Sequence, residues 1–355
     1  MDGIVLAPMK AVYTPDHLLH DPKVELERSI AHSPWEHIGR GEIIKDVLTA
    51  DARFEIVSPV QWGADPITAV HDAGLLRFLD GAWQEYQRTV GETREVVPEV
   101  FQMQGLRNKM EPGAEPSAIQ GRLGYWSFEI TTPITEGTYA ASRAAVDTAM
   151  TAMQFVLDGD RSAYGLCRPP GHHATTSLYG GYCFFNNAAV VAHHVASTRG
   201  VKVAVLDVDY HHGNGTQEIF YDRDDVLYVS LHGDPVRAYP YAIGHADETG
   251  TGRGLGSNLN IPLPAGTGDA AYSSALDTAL QKISEFGAQF LVVSLGLDTF
   301  VTDPICDLAL TTDGFRAHGA MVASLGIPTV VLQEGGYDVP NLGINAQSWL
   351  VGLGA

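Results

Sequence analysis

From residue 138 onward, short apolar runs alternate with longer segments in which apolar residues recur every third or fourth position. The short runs predict buried strands and the longer segments predict helices. Strands that alternate with helices favour a parallel sheet with helices on both faces. The predicted strands are 202–207, 226–231, 290–295 and 328–332, and the predicted helices are 138–157, 186–197, 217–221, 272–286 and 313–325.

The first part of the chain has a weaker pattern. Residues 67–86 have helical spacing, but residues 1–65 show little periodicity and are interpreted as a divergent segment that borders a site or a second subunit. Residues 88–132 are interrupted by proline and glycine and are predicted to form a long loop at a substrate rim or dimer contact. Since no repeat or linker is visible, residues 1–355 are expected to form a single catalytic domain.

Acidic residues dominate the charge of the chain, with 42 Asp and Glu against 22 Lys and Arg and a net charge of -20. A surface of this kind disfavours binding to nucleic acid or to anionic membranes, and it attracts cations such as amines. The three cysteines cannot all pair with one another, which is typical of a reducing compartment. No apolar run approaches membrane-spanning length. We therefore expect a cytoplasmic protein.

Polar groups follow the predicted strands at the point where each strand ends. The carboxyl ends of parallel strands meet at one edge of a sheet, where α/β proteins bind their ligands. One such group could be chance, but four strand ends with acids, histidines or a tyrosine indicate a site. The groups are Asp207, Asp209 and His211 after the first strand, His232 and Asp234 after the second, Asp298 after the third, and Glu334 and Tyr337 after the fourth.

Asp209, His211 and Asp298 are the candidate metal ligands. Two carboxylates and one imidazole leave a coordination position open, which is typical of a catalytic rather than a structural metal. Zinc (Zn²⁺) is the first expectation, although Fe²⁺ or Mn²⁺ also suits oxygen-rich ligands.

His172 and His173 are adjacent on a loop that contains two prolines, and they are candidates for a general base and a general acid. Each needs an acceptor that fixes its tautomer, and Asp207 and Asn214 are the candidates. Tyr337 follows two glycines that let the backbone turn sharply, so its hydroxyl is a candidate donor to a developing oxyanion.

Five motifs carry these residues: Arg168-Pro-Pro-Gly-His172-His173, Gly181-Tyr182, Asp207-Val-Asp209-Tyr-His211-His212-Gly-Asn214-Gly, Ser294-Leu-Gly-Leu-Asp298 and Glu334-Gly-Gly-Tyr337. Together they resemble the signature of the histone deacetylase superfamily, from about residue 65 to the end. The run 180–187 and Leu231-His-Gly-Asp-Pro235 are most similar to bacterial acetylpolyamine amidohydrolases.

The resemblance implies a three-layer, arginase-like α/β fold with a mostly parallel sheet. It also implies zinc on the three candidate ligands, the histidine pair as base and acid, and Tyr337 as the group that polarises the carbonyl. A narrow substrate tunnel and an inner structural potassium (K⁺) site are further implications. The tunnel positions are Gly181, Tyr182, Tyr239 and Ile305, and the potassium positions are Asp207, Asp209, His211, Ser230 and Leu231.

The expected reaction is hydrolysis of a small N-acyl amine, such as an acetylpolyamine, by a homodimer or a dimer of dimers. One departure bears on the substrate: Gln120 and Thr131 stand where acetylpolyamine amidohydrolases have acidic groups, and Glu129 lies close enough to substitute. A small neutral or aromatic amide and an acetyl-lysine protein are therefore alternative substrates.

Two other classes of protein are disfavoured. A dinuclear manganese ureohydrolase would need acidic ligands where Gly213 and Gly296 stand, and a non-catalytic binding protein would not need the histidines and Tyr337.

Overall fold

The computed structural model describes residues 7–27, 29–103, 110–111 and 113–355. Eight strands form one sheet in it, and every pairing in that sheet is parallel. The strand order is β4-β1-β5-β10-β9-β6-β7-β8, while β2 and β3 form a separate antiparallel hairpin. The strands are Met9–Val12 (β1), Glu25–Glu27 (β2), Ile30–His32 (β3), Phe54–Val57 (β4), Ser162–Gly165 (β5), Val203–Asp207 (β6), Val226–Gly233 (β7), Asn258–Leu263 (β8), Phe290–Leu295 (β9) and Thr329–Gln333 (β10).

Helices connect the strands and cover the sheet. Their ends follow ordinary capping chemistry: the Asp72 side chain accepts a hydrogen bond of 2.6 Å from Gly74 N and starts α3, and Gly200 ends α6 with a φ of 65°. In the described residues no helix is both long and apolar enough to cross a membrane. The helices are Gly39–Thr49 (α1), Asp65–Thr68 (α2), Ala73–Thr89 (α3), Ile119–Tyr125 (α4), Thr138–Leu157 (α5), Asn187–Arg199 (α6), Asn214–Phe220 (α7), Asp269–Phe286 (α8), Thr312–Ala323 (α9) and Val339–Leu353 (α10).

The core has two apolar layers, one on each face of the sheet. Successive side chains of a strand point to opposite faces, so Val203 and Val205 of β6 pack in one layer and Ala204 and Leu206 in the other. Both faces are covered, and the central strands are therefore apolar over most of their length. The predicted three-layer α/β fold with a parallel sheet is confirmed.

The first third of the chain differs from the sequence interpretation. Residues 9–57 contribute two strands and a helix to the main domain as well as the β2–β3 hairpin, but strands of three or four residues are too short to show periodicity. The predicted helix over 67–86 is split by the cap at Asp72. The predicted loop over 88–132 contains α4, and its first two residues complete α3. Residues 104–109 and 112 of that loop, and residues 1–6 and 28, lie outside the described residues.

Candidate active site

Four neighbouring strands, β5, β10, β9 and β6, bring the candidate residues to one edge of the sheet. Each strand is followed by a loop that leaves its carboxyl end, so the four loops meet although they are far apart in sequence. The candidates on these loops are His172 and His173 after β5, Asp209 and His211 after β6, Asp298 after β9 and Tyr337 after β10.

Asp209, His211 and Asp298 converge at the centre of this edge. The Nδ1 atom of His211 lies 3.3 Å from Oδ1 of Asp209 and 3.0 Å from Oδ2 of Asp298. Both carboxylates are fully buried. Burial and the neighbouring Asp209 raise the pKa of Asp298 to about 7. For His211, burial alone would lower the pKa, but the carboxylates of Asp209 and Asp298 outweigh it and raise the pKa to about 9. The centre therefore favours an additional positive charge.

The backbone approaches the two carboxylates at two glycines. A Cβ atom on Gly335 would lie 2.4 Å from Oδ2 of Asp298 and 2.5 Å from Oδ2 of Asp209, and one on Gly296 would lie 2.1 Å from the latter atom. The Gly335 N–H also donates a 2.7 Å hydrogen bond to Asp209 and fixes its orientation. Two carboxylates and one imidazole, oriented by a backbone that packs closely against them, fit a divalent metal such as zinc.

Cys306 lies beside this centre. Its sulfur is within 4.8 Å of the potential ligand atoms of His211 and Asp298, and burial raises the pKa of the thiol well above its usual range. A protonated thiol is a weak ligand compared with a carboxylate, so the sequence-derived set with Asp209 remains the better donor set.

His172 and His173 lie with their ring centroids 4.0 Å apart. The Nδ1 atom of His172 is 3.1 Å from Oδ2 of Asp207, which also accepts a hydrogen bond from Tyr228. Burial lowers the pKa of His172, but the carboxylates of Asp209, Asp207 and Glu334 outweigh it and raise the value to about 10. His172 is therefore placed to hold a proton.

His173 has the opposite character. Its Nδ1 atom lies 2.7 Å from Oδ1 of Asn214, whose amide nitrogen donates to the His173 carbonyl. That second bond fixes the amide orientation, so His173 must carry its proton on Nδ1 and present a lone pair on Nε2. Burial, followed by the adjacent His172, lowers the pKa of His173 well below its usual range. His173 is therefore a neutral base.

Tyr337 lines the same cavity as His173 and His211. The ring centroids of Tyr337 and Tyr182 are 6.0 Å apart, and Cζ of Arg40 lies 4.8 Å from the Tyr337 ring centroid. Asp303 accepts a 2.8 Å hydrogen bond from Tyr337 N and thereby fixes the start of the loop. Burial raises the pKa of the Tyr337 phenol well above its usual range, so the hydroxyl is a hydrogen-bond donor at neutral pH.

A buried ion-pair network that the sequence did not reveal supports this loop. Arg40 donates to the backbone carbonyls of Gly336 at 2.6 Å and Glu334 at 2.7 Å, and both Arg40 and Arg168 pair with Glu36. Glu36 and Arg40 belong to the segment that showed little periodicity. Their four-residue spacing was the single available signal, and it is common on exposed helices.

The four predicted tunnel positions, Gly181, Tyr182, Tyr239 and Ile305, all line one cavity of about 190 Å³, together with Tyr337, His173 and His211. Gly181 and Tyr182 have φ values of 59° and 66°, and a Cβ on Gly181 would lie 2.3 Å from the His173 ring. Glycine at 181 therefore lets the loop approach the base. Several further lining residues were not identified from the sequence, among them Glu25, Glu27 and Trp35.

The predicted potassium positions also lie close together. Asp207 at the end of β6 pairs in register with Ser230 of β7, and Leu231 follows it. The Asp207 carboxylate accepts a 3.2 Å hydrogen bond from Asp209 N, which joins this inner layer to the candidate metal ligands. The ion itself stays a prediction.

The alternative role considered for Glu129 is not what the structure shows. Its carboxylate accepts hydrogen bonds from Gly181 N at 2.9 Å, from the Thr131 hydroxyl at 2.6 Å and from Thr132. It is thus occupied in holding the 181–182 loop. Gln120 is exposed on α4 and does not line the cavity, whereas Thr131 does.

Known proteins are similar to this chain over almost its whole length. Residues 35–353 match the histone deacetylase domain. The chain is 43% identical over 345 residues to acetylpolyamine amidohydrolase 2 of Pseudomonas aeruginosa, covering 97% of this chain and 98% of the relative, and 39% identical to acetylpolyamine amidohydrolase of Mycoplana ramosa, covering 97% and 99%. The crystal structure of acetylpolyamine aminohydrolase from Burkholderia pseudomallei superposes with a TM-score of 0.91 at 39% identity, covering 98% of this chain and 99% of the other. The chain therefore belongs to the histone deacetylase family of amide-hydrolysing enzymes.

Proposed function

We propose that the protein hydrolyses the amide bond of a small N-acetylated amine, such as an acetylpolyamine, at a zinc site formed by Asp209, His211 and Asp298. The observation that carries this proposal is the pairing of a neutral base, His173, which lines the cavity, with a proton-holding His172 beside it. The similar proteins named as acetylpolyamine amidohydrolases support the substrate class.

A zinc ion at this site supplies Lewis-acid polarisation of the carbonyl and increases the acidity of water. The residues of the chain supply the proton transfers. The lone pair on Nε2 of His173 accepts a proton from the attacking water as the new C–O bond forms. Asn214 keeps the opposite ring nitrogen protonated, so His173 stays in the tautomer that this step needs.

Tyr337 and His172 act on the two other groups that change charge. The Tyr337 hydroxyl donates a hydrogen bond to the oxygen on which negative charge develops. His172 then gives its proton to the nitrogen as the C–N bond breaks, so that a neutral amine leaves rather than an amide anion. Asp207 stabilises the charged imidazole before that transfer.

The size of the cavity supports a small substrate. Its volume of about 190 Å³ lies below the range of about 300–1,000 Å³ typical of sites for drug-sized ligands. Aromatic rings of Tyr182 and Tyr239 lie on its walls, and these suit an extended alkyl chain. Inner potassium and a homodimer or dimer of dimers remain part of the proposal through the family resemblance.

The test compares kcat/KM of the zinc-loaded protein for N-acetylputrescine, an acetyl-lysine peptide and N-butylacetamide. We expect acetylputrescine to exceed the peptide at least tenfold, which is about 1.4 kcal/mol. Tyr337→Phe should lower kcat about 10²–10³-fold and leave the fold unchanged, by analogy with the loss of one oxyanion donor. Undiminished turnover by that variant, or a preference for the peptide, would contradict the proposal.

A further inference from the structure

The peptide unit between Gly336 and Tyr337 is held on both sides by buried side chains of opposite charge. Its carbonyl accepts a 2.6 Å hydrogen bond from Nε of Arg40, and its N–H donates a 2.8 Å hydrogen bond to Oδ2 of Asp303. Hydrogen bonds to charged groups are stronger than those between neutral groups. Because a peptide unit is planar, fixing its carbonyl and its N–H fixes the whole plane, and with it the direction in which the Tyr337 side chain leaves the backbone.

The backbone that leads to Tyr337 needs these contacts. Gly336 has a φ of 122°, a conformation that favours glycine, and a second glycine, Gly335, precedes it. Glycine populates more backbone conformations than any other residue. The stretch before Tyr337 is therefore restrained by hydrogen bonds from other parts of the chain rather than by its own local preferences.

Asp303 approaches Tyr337 from the loop that follows β9. Its second carboxylate oxygen, Oδ1, accepts a 3.1 Å hydrogen bond from Ile305 N, and Ile305 lines the substrate cavity. One carboxylate thus holds the cavity wall with one oxygen and the Tyr337 backbone with the other. The adjacent Thr302 hydroxyl donates to Asp338, so the same two loops are also joined one residue further along each of them.

The two N–H groups account for a carboxylate at this buried position. Burial raises the pKa of Asp303 to about 6, and a buried carboxylate costs free energy unless hydrogen bonds compensate it. An asparagine can form the same turn to Ile305, two residues further on. However, its amide has a single acceptor oxygen, so the turn would leave its NH₂ group facing the Tyr337 N–H. A carboxylate accepts from both.

We propose that Asp303 is a positioning residue that holds the Tyr337 hydroxyl in place for the developing oxyanion and links it to the cavity wall at Ile305. This inference rests on the proposed function, in which Tyr337 is the oxyanion donor. Asp303 is not among the described residues that line the cavity, so its effect passes through Tyr337. An oxyanion donor acts only where its hydrogen meets the oxygen, and a displacement of about 1 Å can cost about 10²-fold in rate.

The experiment measures kcat and KM for N-acetylputrescine in Asp303→Asn, Tyr337→Phe and the double variant. Asp303→Asn keeps the turn to Ile305 and removes the bond to Tyr337 N, so we expect kcat to fall about 10–100-fold while KM changes less than about threefold. In the Tyr337→Phe background the same substitution should change kcat less than about twofold, because the donor through which it acts is already absent. Thr302→Val removes the neighbouring contact between the two loops and is the matched control, which should leave kcat within about twofold of the wild type.

A second measurement follows the Tyr337 N–H itself and does not depend on activity. In protein labelled with ¹⁵N-tyrosine, the Tyr337 amide signal is identified by its absence from Tyr337→Phe. Its hydrogen exchange should be at least about tenfold faster in Asp303→Asn than in Thr302→Val, because exchange requires the hydrogen bond to open.

Three results would overturn the inference: unchanged exchange of the Tyr337 N–H in Asp303→Asn, unchanged kcat in that variant, or an equal loss of kcat with and without the Tyr337 hydroxyl. The last result would show that Asp303 maintains the loop without acting through Tyr337. If the exchange accelerates but the wild-type protein hydrolyses no N-acetyl amine, the inference that Asp303 positions Tyr337 holds and the proposed function fails.

Discussion

Replacement of Glu36 by glutamine is the most informative test of how the site is supported. The Glu36 carboxylate is buried between two guanidiniums, with Oε1 at 2.9 Å from Arg40 and at 2.7 Å from Arg168. Gln keeps the shape of the side chain but removes the charge, so the variant would leave two positive groups buried with no opposite charge beside them. Removing one partner of a buried ion pair typically costs about 3–5 kcal/mol.

The pKa of Glu36 gives a similar magnitude. Burial opposes ionisation, but Arg168 and Arg40 outweigh it and lower the pKa from 4.5 to about 2. At about 1.36 kcal/mol for each pH unit, this difference corresponds to roughly 3 kcal/mol of stabilisation by the charged carboxylate. Because the pKa is lower in the folded state, that stabilisation is complete above about pH 5 and is lost as the pH falls towards 2.

The assay is urea denaturation of wild-type protein and Glu36→Gln at pH 7 and at several lower pH values. We expect the free energy of unfolding to be about 3 kcal/mol lower in the variant at pH 7, and the difference to shrink as the pH falls below 5. Glu55→Gln, at an exposed position on β4, is the control and should stay within about 0.5 kcal/mol. A loss below about 1 kcal/mol at pH 7, or a difference that does not depend on pH, would refute the reasoning.

Two further predictions concern the candidate metal centre and the base. Gly335→Ala places a Cβ atom 2.4–2.5 Å from oxygen atoms of both carboxylates. The purified variant should therefore still be folded but contain much less zinc by elemental analysis. A zinc content equal to that of the wild type would contradict the role of Gly335. Asn214→Asp puts a negative charge beside His173 and should raise the pKa of that imidazole by about 1–3 units. The acidic limb of the pH profile of kcat/KM should then move to higher pH. If this limb stays where it is in the wild type, His173 is not the base.

The residues of the candidate site could be located from the sequence because they follow regular strands. Asp209, Asp298 and Tyr337 each come shortly after an apolar run that is long enough to identify as a buried strand. Once those strands are parallel, their ends share one edge, and the sequence spacing alone is enough to bring the residues together. Helix α5 was predicted with its observed bounds for a related reason, since twenty residues of small and apolar side chains have a clear helical period.

The support of the site and its outer rim could not be predicted in this way. Arg40 binds a carbonyl 294 positions away in the chain, and the hydrogen bond between Tyr182 and Glu25 spans 157 positions. The strand that carries Glu25 has three residues, too few for any periodic signal. Such contacts depend on how loops close in three dimensions rather than on local pattern.

By itself the sequence determined the fold class, the family and the set of candidate site residues, because regular elements and short motifs are local properties of the chain. Only the tertiary structure decided which of the two histidines is held neutral, which carboxylates line the cavity and what stabilises the Tyr337 loop. These features depend on desolvation and on the distances between charges, and both are set by residues far apart in sequence.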